Sequence, residues 1–161
     1  MMLAVVSVEH VLANGGDLRS IASYRGAKVF YDALSSQYNM IALSAASDEI
    51  ANWWLKRERM GKWARVYACD AIGRGMTSME WKHWKYQQIR SFLAEGWEIA
   101  FYIDKETAGP VQEVHALGVT TMDFNHSMIN PGWRDPETAA PRPWEDLAVT
   151  SDAGGDSHGP E

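Results

Sequence analysis

The sequence predicts an α/β protein, a three-layer sandwich built on a parallel, doubly wound sheet. Three observations carry that expectation. Short apolar runs such as Leu3-Ala4-Val5-Val6 and Met40-Ile41-Ala42-Leu43 lack the in–out alternation of a half-solvated strand, which suits strands covered on both faces. Between the runs, apolar residues recur at helical spacing, as in Val29, Phe30, Ala33 and Leu34. Strand-like and helix-like segments then alternate to the end of the patterned region, an order that calls for crossovers and not hairpins.

Taken in order, Leu3 to Val8 reads as a buried strand that runs into His10-Val11-Leu12 and the loop Asn14-Gly15-Gly16. Asp17 is a candidate cap for the helix that shows its period from Ala27 and ends at Asn39. Met40 to Leu43 is the second strand. Ser47 caps a helix with an acidic first turn, Asp48-Glu49, and a basic end, Lys56, Arg57 and Arg59, in keeping with the helix dipole; it extends to Met60 before Gly61. Arg65 to Ala68 is the third strand, and Gly73 to Thr77 is a loop. Ser78 caps a long helix to Ala94, closed by Gly96 just past its end. Trp97 to Ile103, apolar apart from Glu98, is the fourth strand. A short helix over Pro110–Leu117, Gly118, and a strand Val119–Phe124 complete the pattern.

Charge divides the chain further. The net charge is −6, but from Gly132 onward seven carboxylates face two arginines, so that segment carries −5 and residues 1–131 only −1. Five of the six prolines also lie in 131–161, where the period dissolves, and the expected organisation is an α/β domain over 1–130 and an acidic, largely disordered tail over 131–161. Trp133 and Trp144 are the tail residues able to dock on the body. A nearly neutral body offers no broad basic footprint for nucleic acid. No apolar run approaches the roughly 18–20 residues of a membrane span, and Met1 to Val6 lacks the basic and apolar regions of a signal peptide. The single cysteine, Cys69, fits a reducing compartment, so the expected location is cytoplasmic.

Open parallel sheets bind ligands beyond the carboxyl ends of their strands. The residues to weigh there are Ser7 to His10, Ser44 to Ser47, Lys82 and Lys85, and Asp104-Lys105. Lys85 lies four residues before Ile89 and seven before Phe92, on the inward face of its helix. The four groups are expected to converge on one crevice.

These segments resemble a known family. Val5-Val6-Ser7-Val8-Glu9-His10-Val11-Leu12-Ala13 is similar to the first motif of the haloacid dehalogenase superfamily, an apolar strand followed by Asp-x-Asp-Gly-Val-Leu. Ile41-Ala42-Leu43-Ser44 resembles the second motif, Lys85 the third, and the run from Glu95 to Asp104 the approach to the fourth; His115-Ala116-Leu117-Gly118-Val119 resembles the closing turn and last strand. The likeness covers roughly residues 3–126. It implies a parallel sheet without a substantial cap domain, since the stretch between Asn14 and Gly26 is too short to hold one.

The departures from that pattern govern the expected function. The family's nucleophilic Asp is replaced by Ser7, its general acid/base Asp by Glu9, and its Gly by His10, while the paired acids of the fourth motif read Asp104-Lys105. A serine hydroxyl is neutral, needs a base before it can attack phosphorus, and is a poor magnesium ligand. A lysine where a metal ligand is expected adds like-charge repulsion. The resemblance leaves Ser44 and Lys85 as phosphate-binding residues and Asp104 as the remaining metal-ligand position. The expected function is that of a catalytically degenerate member without a cofactor, acting by binding a protein partner or a phosphorylated ligand. Gly132-Trp133-Arg134-Asp135-Pro136 resembles the tails of small, Trp-rich members encoded by bacteriophages, which makes a phage accessory protein part of that expectation. The alternative is a magnesium-dependent phosphoric-ester hydrolase acting on nucleotides or polynucleotide ends through Glu9 and Asp104.

Plainer readings stand beside these. Lys85 can pair with Asp104 and simply join two elements. Ser7 with His10 makes a weak nucleophile–base pair, with only Glu9 to orient it. Asp123, His126 and His115 match no zinc spacing. Cys69 reads as a buried small residue at a strand end. Trp53-Trp54 and Trp81/Trp84 place aromatics on more than one helix face, so one of each pair is expected near the surface, where tryptophan favours a protein partner or self-association. Lys56-Arg57-Glu58-Arg59-Lys62 reads as a solvated basic face.

Overall fold

The computed structural model describes residues 2–24 and 26–124. Along them run β1 (Leu3–Ser7), α1 (Ala27–Ser35), β2 (Asn39–Ser44), α2 (Asp48–Arg57), β3 (Arg65–Ala68), α3 (Ser78–Ala94), β4 (Ile99–Asp104), α4 (Val111–His115) and β5 (Thr121–Asp123). The strands form one sheet of order β3-β2-β1-β4-β5 in which every neighbouring pair is parallel. The expected tail 131–161, with Trp133 and Trp144, and His126 before it, lies outside the described residues.

Strand alternation sorts the core into two halves. Ala4, Val6, Met40, Ala42 and Ile103 pack with Phe30 and Leu34 of α1 and Trp54 and Leu55 of α2. Val5, Ile41, Leu43 and Tyr102 pack on the other face with Ile89 and Phe92 of α3 and Val111 and Val114 of α4. Ala4, Val5 and Val6 are at most 1% exposed, so β1 is covered on both sides, the reason its sequence reads as an unbroken apolar run. The strand order reverses about β1: β2 and β3 lie to one side, β4 and β5 to the other. The crevice beyond the carboxyl ends of β1 and β4 is therefore the topological switch point.

Helix ends differ in detail from the sequence expectation. The cap of α3 is Thr77, not Ser78; its hydroxyl accepts from the Glu80 amide and the Glu80 carboxylate accepts from the Thr77 amide, a capping box one residue earlier. Asp17 does not cap α1. Its carboxylate accepts from the Arg19 amide within a local turn, and α1 starts after Gly26 with no side-chain cap. Asn39 opens β2 where the period places the end of α1. Trp97 belongs to the end of α3 and not to β4: with Gly96 at φ +86, its amide bonds the Phe92 carbonyl at 3.0 Å and its ring stacks on Phe92 at 4.9 Å. The end of α2 has the same geometry with Arg59 in the left-handed position (φ 65), and Gly61 lies outside it.

Candidate functional site

The crevice is built where three strands stop. After β1 the chain turns tightly: the Val8 carbonyl accepts the amides of Val11, Leu12 and Ala13, and His10 takes a left-handed backbone (φ 67). That turn holds Glu9 over the end of β2. There the Ser44 hydroxyl donates to Glu9 Oε2 at 2.7 Å, and the Ala45 amide donates to Oε1 at 3.1 Å. Ser44 Oγ in turn accepts from the Ala46 amide at 3.1 Å, so this pair is satisfied within itself.

The other half lies on the α3 face. Ser7 follows Val5 by two residues and Asp104 follows Tyr102 by two, so the period of the strand aims both at α3. Lys85, on the inward row of α3 with Ile89 and Phe92, meets them there. Its Nζ donates to Ser7 Oγ (3.1 Å), Asp104 Oδ2 (2.8 Å) and the Ala108 carbonyl (2.9 Å), and lies 4.3 Å from the centre of the Trp81 ring. An ammonium has three protons, and all three are used. Asp104 also accepts from the Tyr102 hydroxyl and, at 2.7 Å, from the Lys105 amide. Backbone closes the remaining side: a Cβ placed on Gly109 would collide with Asp104 Oδ2.

All five residues expected from the sequence thus come together: Ser7, Ser44, Lys85 and Asp104 are fully buried and Glu9 is 2% exposed. Burial raises the Glu9 carboxyl above its ordinary range, against the pull of its Ser44 and Ala45 bonds and of the Lys85 charge. Burial, then the Asp104 charge, pushes the Tyr102 phenol well up, which keeps it a donor. Cys69 lies just beyond β3, and burial followed by the Glu9 charge raises its thiol to about 11. Burial and the charges of Lys105 and Lys85 lower His10, against the pull of Asp104.

Lys82 and Lys105 are half-buried and bring no side-chain bond to the cluster. Tyr102, the Ala108 carbonyl and Gly109 are members that sequence reasoning does not name. Tyr102 is within its reach, two residues before Asp104 on one strand face; the approach of the 108–109 backbone leaves no sequence signal. The donors around Asp104 are those of a satisfied ion pair, and a magnesium ion there would have to displace the Lys85 ammonium and push past Gly109. The magnesium position implied by the resemblance therefore does not fit a divalent cation in this arrangement. Among the described residues no three His, Cys, Asp or Glu side chains group as metal ligands.

The fold has a counterpart. No protein-family model matches the chain, and no curated protein matches it. It is similar to an uncharacterized protein from Listeria monocytogenes serotype 4b, whose crystal structure aligns over 95% of this chain and 96% of that one with a TM-score of 0.60 at 14% identity. That likeness shows the α/β architecture alone.

The tryptophan expectations divide. Trp54 is buried and its Nε1 donates to the Ile21 carbonyl at 2.8 Å, while Trp53 is 44% exposed beneath the Arg57 guanidinium. Trp81 and Trp84 do not split in that way: three residues apart, they stack on each other at 5.4 Å, both half-buried.

Proposed function

We propose that this chain is a catalytically degenerate relative of the haloacid dehalogenase type that acts by binding a protein partner and not by turnover. The observation that carries the reading is the Lys85 ammonium, whose three protons are spent on Ser7, Asp104 and the Ala108 carbonyl in a site without solvent access. A hydrolase of that type needs an anionic nucleophile at the end of β1 and an open, electropositive socket for phosphate. Here the nucleophile position holds a hydroxyl that accepts from a lysine, and the socket's cation is neutralised. The Ser44 hydroxyl is likewise committed to Glu9. With both candidate phosphate ligands engaged internally, a protein partner is favoured over a phosphorylated ligand. Exposed Trp53 on α2, and Ile72 and Met79, 72% and 74% accessible on the loop after β3 and the first turn of α3, offer apolar contact area.

The test is turnover of an aryl phosphate with magnesium, with Glu9→Ala and Asp104→Ala as controls. Rates equal to the uncatalysed background in all three proteins are expected. Magnesium-dependent turnover that either substitution abolishes would overturn the reading. A thermal-melt series in inorganic phosphate separates the ligand classes: an unchanged midpoint supports a protein partner, and a rise with phosphate supports a phosphorylated ligand.

One observation favours a second reading, the phosphoric-ester hydrolase on nucleotides or polynucleotide ends. Glu9 stands two residues beyond Ser7, the acid/base spacing of the resemblance, buried beside the end of β2, and burial raises its carboxyl in the direction a general acid needs; the magnesium such a hydrolase uses does not fit beside Asp104 as the site stands. Action in that role would require Ser44 to release Glu9.

A further inference from the structure

The opposite end of the sheet carries a second surface. An open groove of about 510 Å³ lies at the amino ends of β1, β2 and β3, with Leu3, Ile41 and Trp97 as its apolar lining and Arg65 and Glu98 as its charged residues. Beside it, residues 56–65 hold five cations, Lys56, Arg57, Arg59, Lys62 and Arg65, against one acid, Glu58. Glu58 is engaged by the Ser23 amide and by Arg57, and Arg57 also donates to the Ile21 carbonyl. Lys56, Arg59, Lys62 and Arg65 are exposed and, among the described residues, make no ion pair.

The backbone that displays them is fixed. The Met60 amide bonds the Leu55 carbonyl at 2.8 Å with Met60 fully buried, Trp63 packs on Tyr31 at 5.5 Å, and the Ala64 amide bonds the Met40 carbonyl at 2.8 Å. Four cations without an ion pair among the described residues, spread over the end of α2, the loop after it and the start of β3, with Arg65 over the Tyr67 ring, lie next to an apolar groove and fit an anionic segment with an aromatic anchor.

We propose that this segment is the chain's own Trp144-Glu145-Asp146. It joins one indole directly to two carboxylates within a stretch of net charge −5, the complement of the patch in sign and size. Reach allows it. The described chain ends at Phe124, past β5 at the far end of the sheet; strands of this length span roughly 20 Å, and the groove lies three to four strands across, roughly 14–19 Å, so the straight-line span is about 25–28 Å. The intervening twenty residues cover about 25 Å as a flexible chain and up to about 66 Å extended. Trp144 fills the groove over Leu3, Ile41 and Trp97, and the two carboxylates lie on the Lys62 and Arg65 side, away from Glu98. Trp133 is the poorer anchor, since Arg134 follows it.

Zero-length carbodiimide cross-linking of the full chain, read by peptide mass mapping, tests this. Links from Lys56 or Lys62 to Glu145 or Asp146 are expected at low salt, falling at least fivefold in 0.5 M sodium chloride and in Trp144→Ala. Links from these lysines to body carboxylates only, or none, would overturn the proposal. An equal mixture of unlabelled and nitrogen-15-labelled chain identifies the occupant: links within one isotope only are expected, whereas mixed-isotope links would assign the groove to a second copy and overturn the intramolecular form. As a measurement without chemistry, Trp144→Ala should shift the amide resonances of Arg65 and Trp97 and leave those of Ser44 and Asp104 in place. Unmoved Arg65 and Trp97 resonances would also overturn it.

Discussion

Replacement of Lys85 by Met is the perturbation that tests the site most directly. Methionine keeps the buried stem of the side chain and removes only the ammonium. The structure then leaves the Asp104 carboxylate, fully buried, with the Tyr102 hydroxyl and the Lys105 amide as its donors, and leaves Ser7 Oγ and the Ala108 carbonyl without Lys85. Breaking a buried pair from one side costs about 3–5 kcal/mol, because the remaining charge stays desolvated. Against a total stability of about 5–15 kcal/mol that is a third or more of the whole. Urea unfolding followed by circular dichroism measures it. Asp104→Asn in the same background removes the stranded charge, so the double variant should be more stable than the sum of the two single losses predicts, by about 1–3 kcal/mol. A loss below about 1 kcal/mol for Lys85→Met, or additivity of the two changes, would refute the reasoning. Either result would mean that the ammonium faces solvent in the working protein and that the socket's cation is not neutralised.

Other expectations follow from the same neighbourhood. Because burial raises the Glu9 carboxyl, the folded chain binds more protons than the unfolded chain above pH 4.5, so Glu9 lowers stability as pH rises from there; Glu9→Gln should flatten that fall and be relatively more stable at pH 7, as melting curves across pH 4–8 would show. Gly109→Ala drives a methyl into Asp104 and should cost about 1–3 kcal/mol in urea unfolding; a loss within about 0.5 kcal/mol would mean that the 108–109 backbone gives way freely. With its thiol at about 11, Cys69 is thiolate in roughly one molecule in a thousand at pH 8, and Ellman's reagent should label the native chain far more slowly than the urea-unfolded one.

Periodicity is why the layers are legible in the sequence. Residues 4–6 and 40–43 are apolar on both faces because both faces are covered, and Lys85 falls on the inward row of α3 for the same reason as Ile89 and Phe92. Expectation and structure part at the ends of elements, and each end is decided by one local interaction. Thr77 and Ser78 are both cap-forming residues, serine by rank the better, and it is Glu80, three residues after Thr77, that selects the first. Trp97 is apolar enough for a strand, yet the left-handed Gly96 turns its amide back to Phe92. Arg59 takes the left-handed position two residues before the available Gly61, because burial of Met60 fixes where α2 must stop.

At the site, the sequence identifies the members but not their pairing. Ser7, Glu9, Ser44, Lys85 and Asp104 are all polar residues at strand ends or on an inward helix row, and topology alone brings them to one crevice. Whether the lysine reaches toward solvent or toward Asp104 depends on the loop after β4, where Ala108 offers a carbonyl and Gly109 presses against the carboxylate. Glycine at 109 signals a turn in the sequence, whereas its consequence here is packing: without a Cβ the backbone comes up against Asp104 Oδ2, the oxygen that accepts from Lys85, and the neighbouring Ala108 carbonyl reaches the same ammonium. The locked ion pair at this position is thus completed by the loop that follows β4, and Tyr102 joins it because its neighbour two residues on is an acid.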